Sequence, residues 1–229
     1  MHSTLAEGGA IPKEIEVKLR MREAGRARKM LAKAGAKPVR HPAAGRDGRF
    51  HELNILFDTP QGGFARHGQL LRVRVESPAA RGGKVTSRAI LTYKGPAEGP
   101  GRSHFKVRDE YEVVIADAEA MHHILESLGL RGWFRYEKFR TAFSLPASAR
   151  WAAGLKLDLD ETPVGVFLEL EGPPAAIDRA ARELGFAPPD YVTKDYLFLH
   201  IEQCRKGGIV VPQIAPGIVA GIPDMMFPK

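Results

Sequence analysis

The chain has 229 residues, of which 44% are hydrophobic and 27% charged, and it carries a formal net charge of +7. This is the composition of a soluble globular protein long enough to bury a substantial core. A single cysteine, Cys204, excludes an internal disulfide framework and a thiolate zinc cluster, and no apolar run reaches the ~18 residues of a membrane helix.

The first residues have no apolar signal core, so a cytoplasmic protein with no membrane partner is the default expectation. The basic balance favours an anionic partner without choosing among nucleic acid, membrane surface and polyphosphate. Residues 1–12 read as a loose leader, residues 13–206 as one unit, and residues 207–229 as an extended Pro/Gly-rich tail interrupted by Pro212, Pro216 and Pro223. The tail packs on the body or on a second copy in a homodimer, and nothing in its residues chooses between them.

The stretch Glu14-Ile15-Glu16-Val17-Lys18 alternates. Side chains two apart share a face of a strand, so Glu14, Glu16 and Lys18 lie on one side and Ile15, Val17 and Leu19 on the other. A helix over 23–35 follows, stopped by Gly35, and then a basic loop over 40–49. Residues 51–58 alternate again, with Glu52 and Asn54 opposite Leu53 and Ile55, before a turn at Thr59 to Gly63. Residues 70–76 place Arg72 and Arg74 opposite Leu71 and Val73, and 88–94 place Lys94 opposite Tyr93. Residues 106–114 place Arg108, Glu110 and Glu112 opposite Val107, Tyr111 and Val113.

A second helix spans 117–129. Residues 136–143 put Lys138 and Arg140 opposite Phe139 and Phe143, residues 155–160 put Asp158 and Asp160 opposite Leu157 and Leu159, and 166–171 put Glu169 and Glu171 opposite Leu168 and Leu170. A third helix runs to Gly185 from Pro173-Pro174, since proline suits a first helical turn, and a fourth is expected over 191–204. Glu14-Ile15-Glu16-Val17 with its helix resembles Glu110-Tyr111-Glu112-Val113 with its own, which suggests two similar halves closing one sheet. Eight or so strands with one charged face each predict an α+β fold: a closed eight-stranded antiparallel β-barrel with a polar lumen and helices packed outside.

The charged faces together supply acids (Glu14, Glu16, Glu110, Glu112, Asp158, Asp160, Glu169, Glu171) and bases (Lys18, Arg72, Arg74, Lys94, Arg108, Lys138, Arg140). Such a wall can hold a hard divalent cation on carboxylate oxygens while Arg and Lys grip phosphoryl oxygens. Competing motifs are weak. Gly82-Gly83-Lys84 lacks the earlier glycine of a P-loop, no Gly-x-Ser-x-Gly elbow exists, and His51, His67, His122 and His123 read as ordinary polar residues. Basic loop residues such as Arg40, Arg46 and Arg49 lack interleaved aromatic platforms, which argues against nucleic acid.

The ordered motifs Glu14-x-Glu16-x-Lys18, Phe57-Asp58-Thr59, Leu71-Arg72-Val73-Arg74, Leu91-Thr92-Tyr93-Lys94-Gly95, Arg108-x-Glu110-x-Glu112, Glu137-Lys138-Phe139-Arg140-Thr141, Asp160-Glu161-Thr162-Pro163 and Phe167-Leu168-Glu169-Leu170-Glu171 resemble those of the CYTH family. This is the triphosphate tunnel metalloenzyme group, which includes class IV adenylate cyclases, thiamine triphosphatases and inorganic triphosphatases. The resemblance implies a tunnel of eight antiparallel strands that binds a triphosphate substrate with Mg²⁺ or Mn²⁺, with Lys194 reaching the phosphates from the last helix. It implies metal ligands among Glu14, Glu16, Asp158, Asp160, Glu169 and Glu171, the four glutamates of this set being the catalytic candidates. Whether Asp158 or Asp160 is the inward ligand stays open. Three activities compete: hydrolysis of a triphosphate, cyclisation of ATP to cyclic AMP and pyrophosphate, and polyphosphate binding without catalysis.

Overall fold

The computed structural model describes residues 13–45, 47–79, 87–98, 104–211, 213–215, 218–219 and 222–228. The leader, Arg46, Gly82-Gly83-Lys84, Pro212 and Pro216 lie outside the described residues. In chain order the elements are β1 (Lys13–Met21), α1 (Ala24–Lys33), β2 (Lys37–Pro38), β3 (Arg49–Asp58), α2 (Gly63–Arg66), β4 (Leu70–Pro78), β5 (Arg88–Lys94), β6 (Lys106–Ile115), α3 (Ala118–Ser127), β7 (Arg131–Ser144), β8 (Lys156–Thr162), β9 (Gly165–Glu171), α4 (Pro174–Glu183), β10 (Tyr191–Val192) and α5 (Tyr196–Lys206). A two-stranded ribbon, β11 (Gln213–Ala215) with β12 (Ile218–Val219), follows.

Hydrogen bonding runs β1-β6-β5-β4-β3-β7-β8-β9 and returns to β1 through the β1–β9 pairing, so eight antiparallel strands close into a barrel. Closure follows from the alternation: a sheet with one charged face and one apolar face can bury the oily side under helices and turn the charged side inward. Outside, α1 and α4 set Ala27, Leu31, Ile177 and Ala181 against Val17, Leu19, Leu159, Leu168 and Leu170. The α3 helix, capped by Asp117 Oδ1 accepting from the backbone N–H of Glu119 and Ala120, sets Leu125 beside Phe57 and Val73.

The elements depart from the periodicity in three places. The fourth helix was expected over 191–204. Tyr191 and Val192 instead pair with Leu19 and Lys18 of β1, and the helix starts at Tyr196, where Asp195 accepts from the Phe198 N–H at 3.0 Å. The β7 strand begins at Arg131 rather than near Tyr136 because Asp58 and Phe57 of β3 pair with Arg131 and Gly132. At Thr59 to Gly63 the turn runs on into α2, where the Gly63 N–H donates to Thr59 Oγ1 and those of Phe64 and Ala65 donate to the Asp58 carboxylate.

Inside the barrel the charged face does not persist over the full height. Leu56, Phe134 and Phe167 cluster with Tyr196 and Leu199 of α5, forming an apolar floor. The end of the chain straps this floor in place. Arg135 N–H donates to Asp224 Oδ1, the N–H of Met225 donates to the Arg135 carbonyl, and the N–H of Glu137 donates to the Met225 carbonyl. Met225 is 1% exposed within the floor cluster. Met225→Ala is therefore expected to cost about 2–5 kcal/mol, read as a lower midpoint in urea. An unchanged midpoint would contradict the strap.

Candidate active site

Strand register decides which charged groups meet. Across β1 and β9, Glu16 is opposite Glu171 and Lys18 is opposite Glu169; across β8 and β9, Asp158 is opposite Glu169 and Lys156 is opposite Glu171. On the far wall Arg74 is opposite Asn54, Arg72 opposite Leu56, and Lys138 opposite Glu52. Together they enclose a cavity of about 450 Å³ within the range of small-molecule sites. Its walls carry ten Lys or Arg and ten Asp or Glu side chains, so the lining is close to neutral although it is dense in charge.

All of Glu14, Glu16, Lys18, Arg72, Arg74, Lys94, Arg108, Glu110, Glu112, Lys138, Arg140, Asp158, Glu169 and Glu171 line this one cavity. Lys94 Nζ donates to Glu14 Oε1 at 2.6 Å, and Arg108 Nε donates to Glu14 Oε2 at 3.1 Å. Lys18 lies 3.1 Å from Glu16 and 3.3 Å from Glu169. Arg74 Nη2 and Thr92 Oγ1 each donate to Glu112 Oε1 at 3.0 Å. Arg140 reaches Asp158, Asp160 and Glu169 together.

Both aspartates of β8 point inward, but at different depths. Asp158 is on the cavity wall, whereas Asp160 is fully buried beneath it and accepts from Lys138 Nζ at 2.7 Å, Arg140 Nε and Nη2 at 2.7 Å, and Tyr196 Oη at 2.8 Å. With its oxygens engaged by protein donors, Asp160 positions the Lys138 and Arg140 cations rather than offering a free ligand face. Lys194 requires a correction. It precedes α5 instead of lying on it, its side chain is 54% exposed, and it pairs with Glu202, because the Asp195 cap turns Asp195, Tyr196 and Leu197 toward the cavity and leaves Lys194 outside.

Several lumen residues were not among the site candidates, although Glu52 had been placed on its strand face beside Asn54. Lys106 is two residues before Arg108 on the same face and lies 3.3 Å from Glu16. Arg88, Lys156, Glu76 and His41 also line the cavity. Glu52 is fully buried, and its oxygens accept no hydrogen bond; Lys138, Arg140 and Arg74 hold it through ion pairs of 3.5–4.0 Å. The signal for Lys106 and Glu52 was the same two-residue spacing that marked Arg108 and Asn54.

Electrostatics separates the carboxylates into two kinds. Burial alone would raise Glu16, Glu52 and Glu169, but Lys18 with Lys106 at Glu16, Lys138 with Arg140 at Glu52, and Lys18 with Lys138 at Glu169 hold them well below the ordinary range. Burial does raise Asp158, against Arg140 and with Asp160 and Glu169 adding to it; it also raises Glu171, against Lys156 and with Glu14 and Glu110 adding. Glu52 yields a pH prediction. Its folded value lies below the unfolded value of 4.5, so its contribution to stability is complete above pH 4.5 and is lost as pH falls below it. The thermal midpoint of the wild type should fall more steeply below pH 4.5 than that of Glu52→Gln, and parallel acid limbs would contradict this.

A hard divalent cation fits the donor chemistry of one wall. Glu16 with Glu171, and Asp158 with Glu169, set carboxylates side by side in register; burial raises Asp158 and Glu171, with neighbouring carboxylates (Asp160 and Glu169 at Asp158, Glu14 and Glu110 at Glu171) adding to it, and a cation would relieve both costs. Among the described residues no three such side chains converge on a single point, since each is engaged by Lys or Arg. Taking up a cation would mean exchanging those ion pairs for metal–oxygen contacts.

Structures that share the fold include a candidate adenylate cyclase from Vibrio parahaemolyticus (17% identity, TM-score 0.61, covering 81% of this chain and 96% of that one) and the PH1819 protein of Pyrococcus horikoshii OT3 (23%, 0.62, 83% and 99%). A third is the Hippeastrum candidate adenylyl cyclase HpAC1, described as having a dominant triphosphatase activity (20%, 0.52, 87% and 98%). No curated protein matches the chain. No helix among the described residues is long and apolar enough to cross a membrane. Residues 12–195 match the CYTH domain, and the chain belongs to the CYTH domain family.

Proposed function

We propose that this protein is a divalent-metal-dependent triphosphatase that cleaves the terminal phosphoryl group of a triphosphate bound in the barrel lumen. The observation that carries the reading is the convergence of cations from six strands (β1, β4, β5, β6, β7 and β8) with paired carboxylates in one closed cavity of about 450 Å³. A mixture of Arg forks and Lys point charges suits a ligand with several phosphoryl groups better than a single carboxylate. The near neutrality of the wall suits a polyphosphate that arrives with its counter-cations.

Glu14, Glu16, Glu169 and Glu171, with Asp158, would hold Mg²⁺ or Mn²⁺, which when bound neutralises phosphoryl charge and lowers the pKa of a coordinated water. The chain's own contribution is positioning and charge neutralisation. Arg72 and Arg74 on β4, Lys94 on β5 and Arg108 on β6 contact phosphoryl oxygens from one side, while Lys18, Lys138 and Arg140 contact them from the other. Asp160 holds Lys138 and Arg140 aimed into the lumen, so little rearrangement accompanies charge build-up at phosphorus. Burial of these groups keeps bulk water from screening them.

Product analysis tests the reading: purified protein with Mg²⁺ or Mn²⁺ is given tripolyphosphate, thiamine triphosphate or ATP, and products are resolved by phosphorus NMR. Orthophosphate with a diphosphate is the expected result. Cyclic AMP with pyrophosphate would make the protein a cyclase, and no turnover with retained binding would make it a polyphosphate-binding module.

A further inference from the structure

Asn54 is 0% exposed on the lumen face of β3 and takes no part in the cavity lining, although Glu52 and Leu56 on either side of it both line the lumen. A bond between the two strands that flank β3 explains this. Tyr136 of β7 stands opposite Asn54, Arg72 of β4 stands opposite Leu56, and Arg72 Nη1 donates to Tyr136 Oη at 3.1 Å, so the two side chains close over Asn54. Arg74 is the partner of Asn54 in register on β4.

The polar atoms around this bridge do not satisfy one another. Asn54 Nδ2 and Oδ1, both Glu52 carboxylate oxygens, and the Nε of Arg72 and of Arg74 are buried without a hydrogen-bond partner in the protein. Arg74 Nε keeps an ion-pair contact of 3.3 Å with Glu76 Oε1, and Glu52 keeps contacts of 3.5–4.0 Å with Lys138, Arg140 and Arg74. The far ends of both guanidinium groups are engaged, Arg72 Nη2 by Thr92 Oγ1 at 3.2 Å and Arg74 Nη2 by Glu112 Oε1 at 3.0 Å. A buried amide with neither donor nor acceptor engaged is costly, and folded proteins recover that cost through an ordered water where no protein group serves. The mixture of donors and acceptors selects the ligand. An anion would face the Glu52 carboxylate and a metal ion would face the guanidinium edges, whereas water donates to the first and accepts from the second.

We propose that Asn54 is a positioning residue: with Glu52 it holds an ordered water beneath the Arg72–Tyr136 bond, and that water fixes the Nε edges of Arg72 and Arg74 so that their Nη edges meet phosphoryl oxygens in the lumen. The positioning role rests on the triphosphate reading above and deepens it; the water site stands on the buried polar atoms alone. Arginines held at both edges before the ligand arrives need little reorganisation when it binds.

A high-resolution crystal structure of the wild type is expected to show a water within hydrogen-bond distance of the Asn54 amide and of a guanidinium Nε, and its absence from that position overturns the site. Asn54→Leu, apolar and of similar size, is expected to lower the thermal midpoint by about 5 °C because it strips the water of a partner. An amide without a ligand predicts the opposite sign, so a midpoint that rises or stays unchanged also overturns the site. In titration calorimetry with Mg²⁺ and the methylene-bridged analogue of tripolyphosphate, Asn54→Leu is expected to weaken binding about tenfold in the wild type but only about threefold in an Arg72→Ala background, where one of its two targets is gone. An equal loss in both backgrounds overturns the positioning role, since a general loss of packing does not depend on Arg72. Asn54→Ala, which adds no bulk, serves for the same comparison if the leucine variant does not fold. Failure of the wild type to bind the analogue overturns the lumen reading and the positioning role together, while the crystal structure and the midpoint still decide the water site.

Discussion

Glu169→Gln is expected to lower triphosphate turnover by about 100-fold or more while leaving the thermal midpoint within a few degrees of wild type. Removal of one preorganised charge from a site of this kind typically costs two to three orders of magnitude in rate. Glu169 lies where three requirements meet: opposite Asp158 in register, 3.3 Å from Lys18, and bonded to Arg140. The amide keeps the size and loses the charge. The fold should tolerate the change because neither cation is left unpaired, since Lys18 keeps Glu16 and Arg140 keeps Asp158 and Asp160. Turnover near wild type in a folded Glu169→Gln protein would remove this residue from the site.

Asp160→Ala is expected to act in the opposite way, on stability first. Asp160 has no exposure and receives Lys138, Arg140 and Tyr196 together. Truncating it leaves two buried cations short of a partner, which costs about 3–5 kcal/mol. For a domain of this size that is a fall in thermal midpoint on the order of 10 °C, measurable by scanning calorimetry. Tyr196→Phe removes one hydrogen bond and should cost only about 1–1.5 kcal/mol. A midpoint for Asp160→Ala within about 2 °C of wild type would mean that the aspartate is not the anchor of the lumen floor.

The contrast between Glu169 and Asp160 shows what alternation in a sequence can and cannot disclose. Period-two spacing placed Glu14, Glu16 and Lys18 on one face, and Arg72 with Arg74 on another. Once the barrel closes, those faces have no place to go but the lumen. The same spacing could not rank depth. Asp158 and Asp160 are equivalent in the pattern, and only the height of α5 above β8 makes one a wall group and the other a buried anchor.

Nor could alternation reveal that the charged faces give way to Leu56, Phe134 and Phe167, because a helix plugging one end of a barrel leaves no periodic trace in the strands. Lys194 illustrates a different failure. Its assignment came from resemblance, and the local chemistry of the Asp195 cap directs its side chain outward. Lys106 and Glu52 were legible in principle, but Lys106 stands at the first position of its strand and Glu52 beside a neutral Asn54, so neither extended an obvious charged run.

Titration of the protein with tripolyphosphate in Mg²⁺ distinguishes binding of a metal-bound triphosphate in the lumen from binding on an outer basic surface. One molecule per chain is predicted to bind, with affinity reduced at least about tenfold by Arg72→Ala, whose side chain lines the cavity from β4, and left within about twofold by Arg179→Ala, on the outer face of α4. Binding that is insensitive to Arg72→Ala but weakened by Arg179→Ala, or no binding by the folded wild type, would rule out the lumen as the triphosphate site.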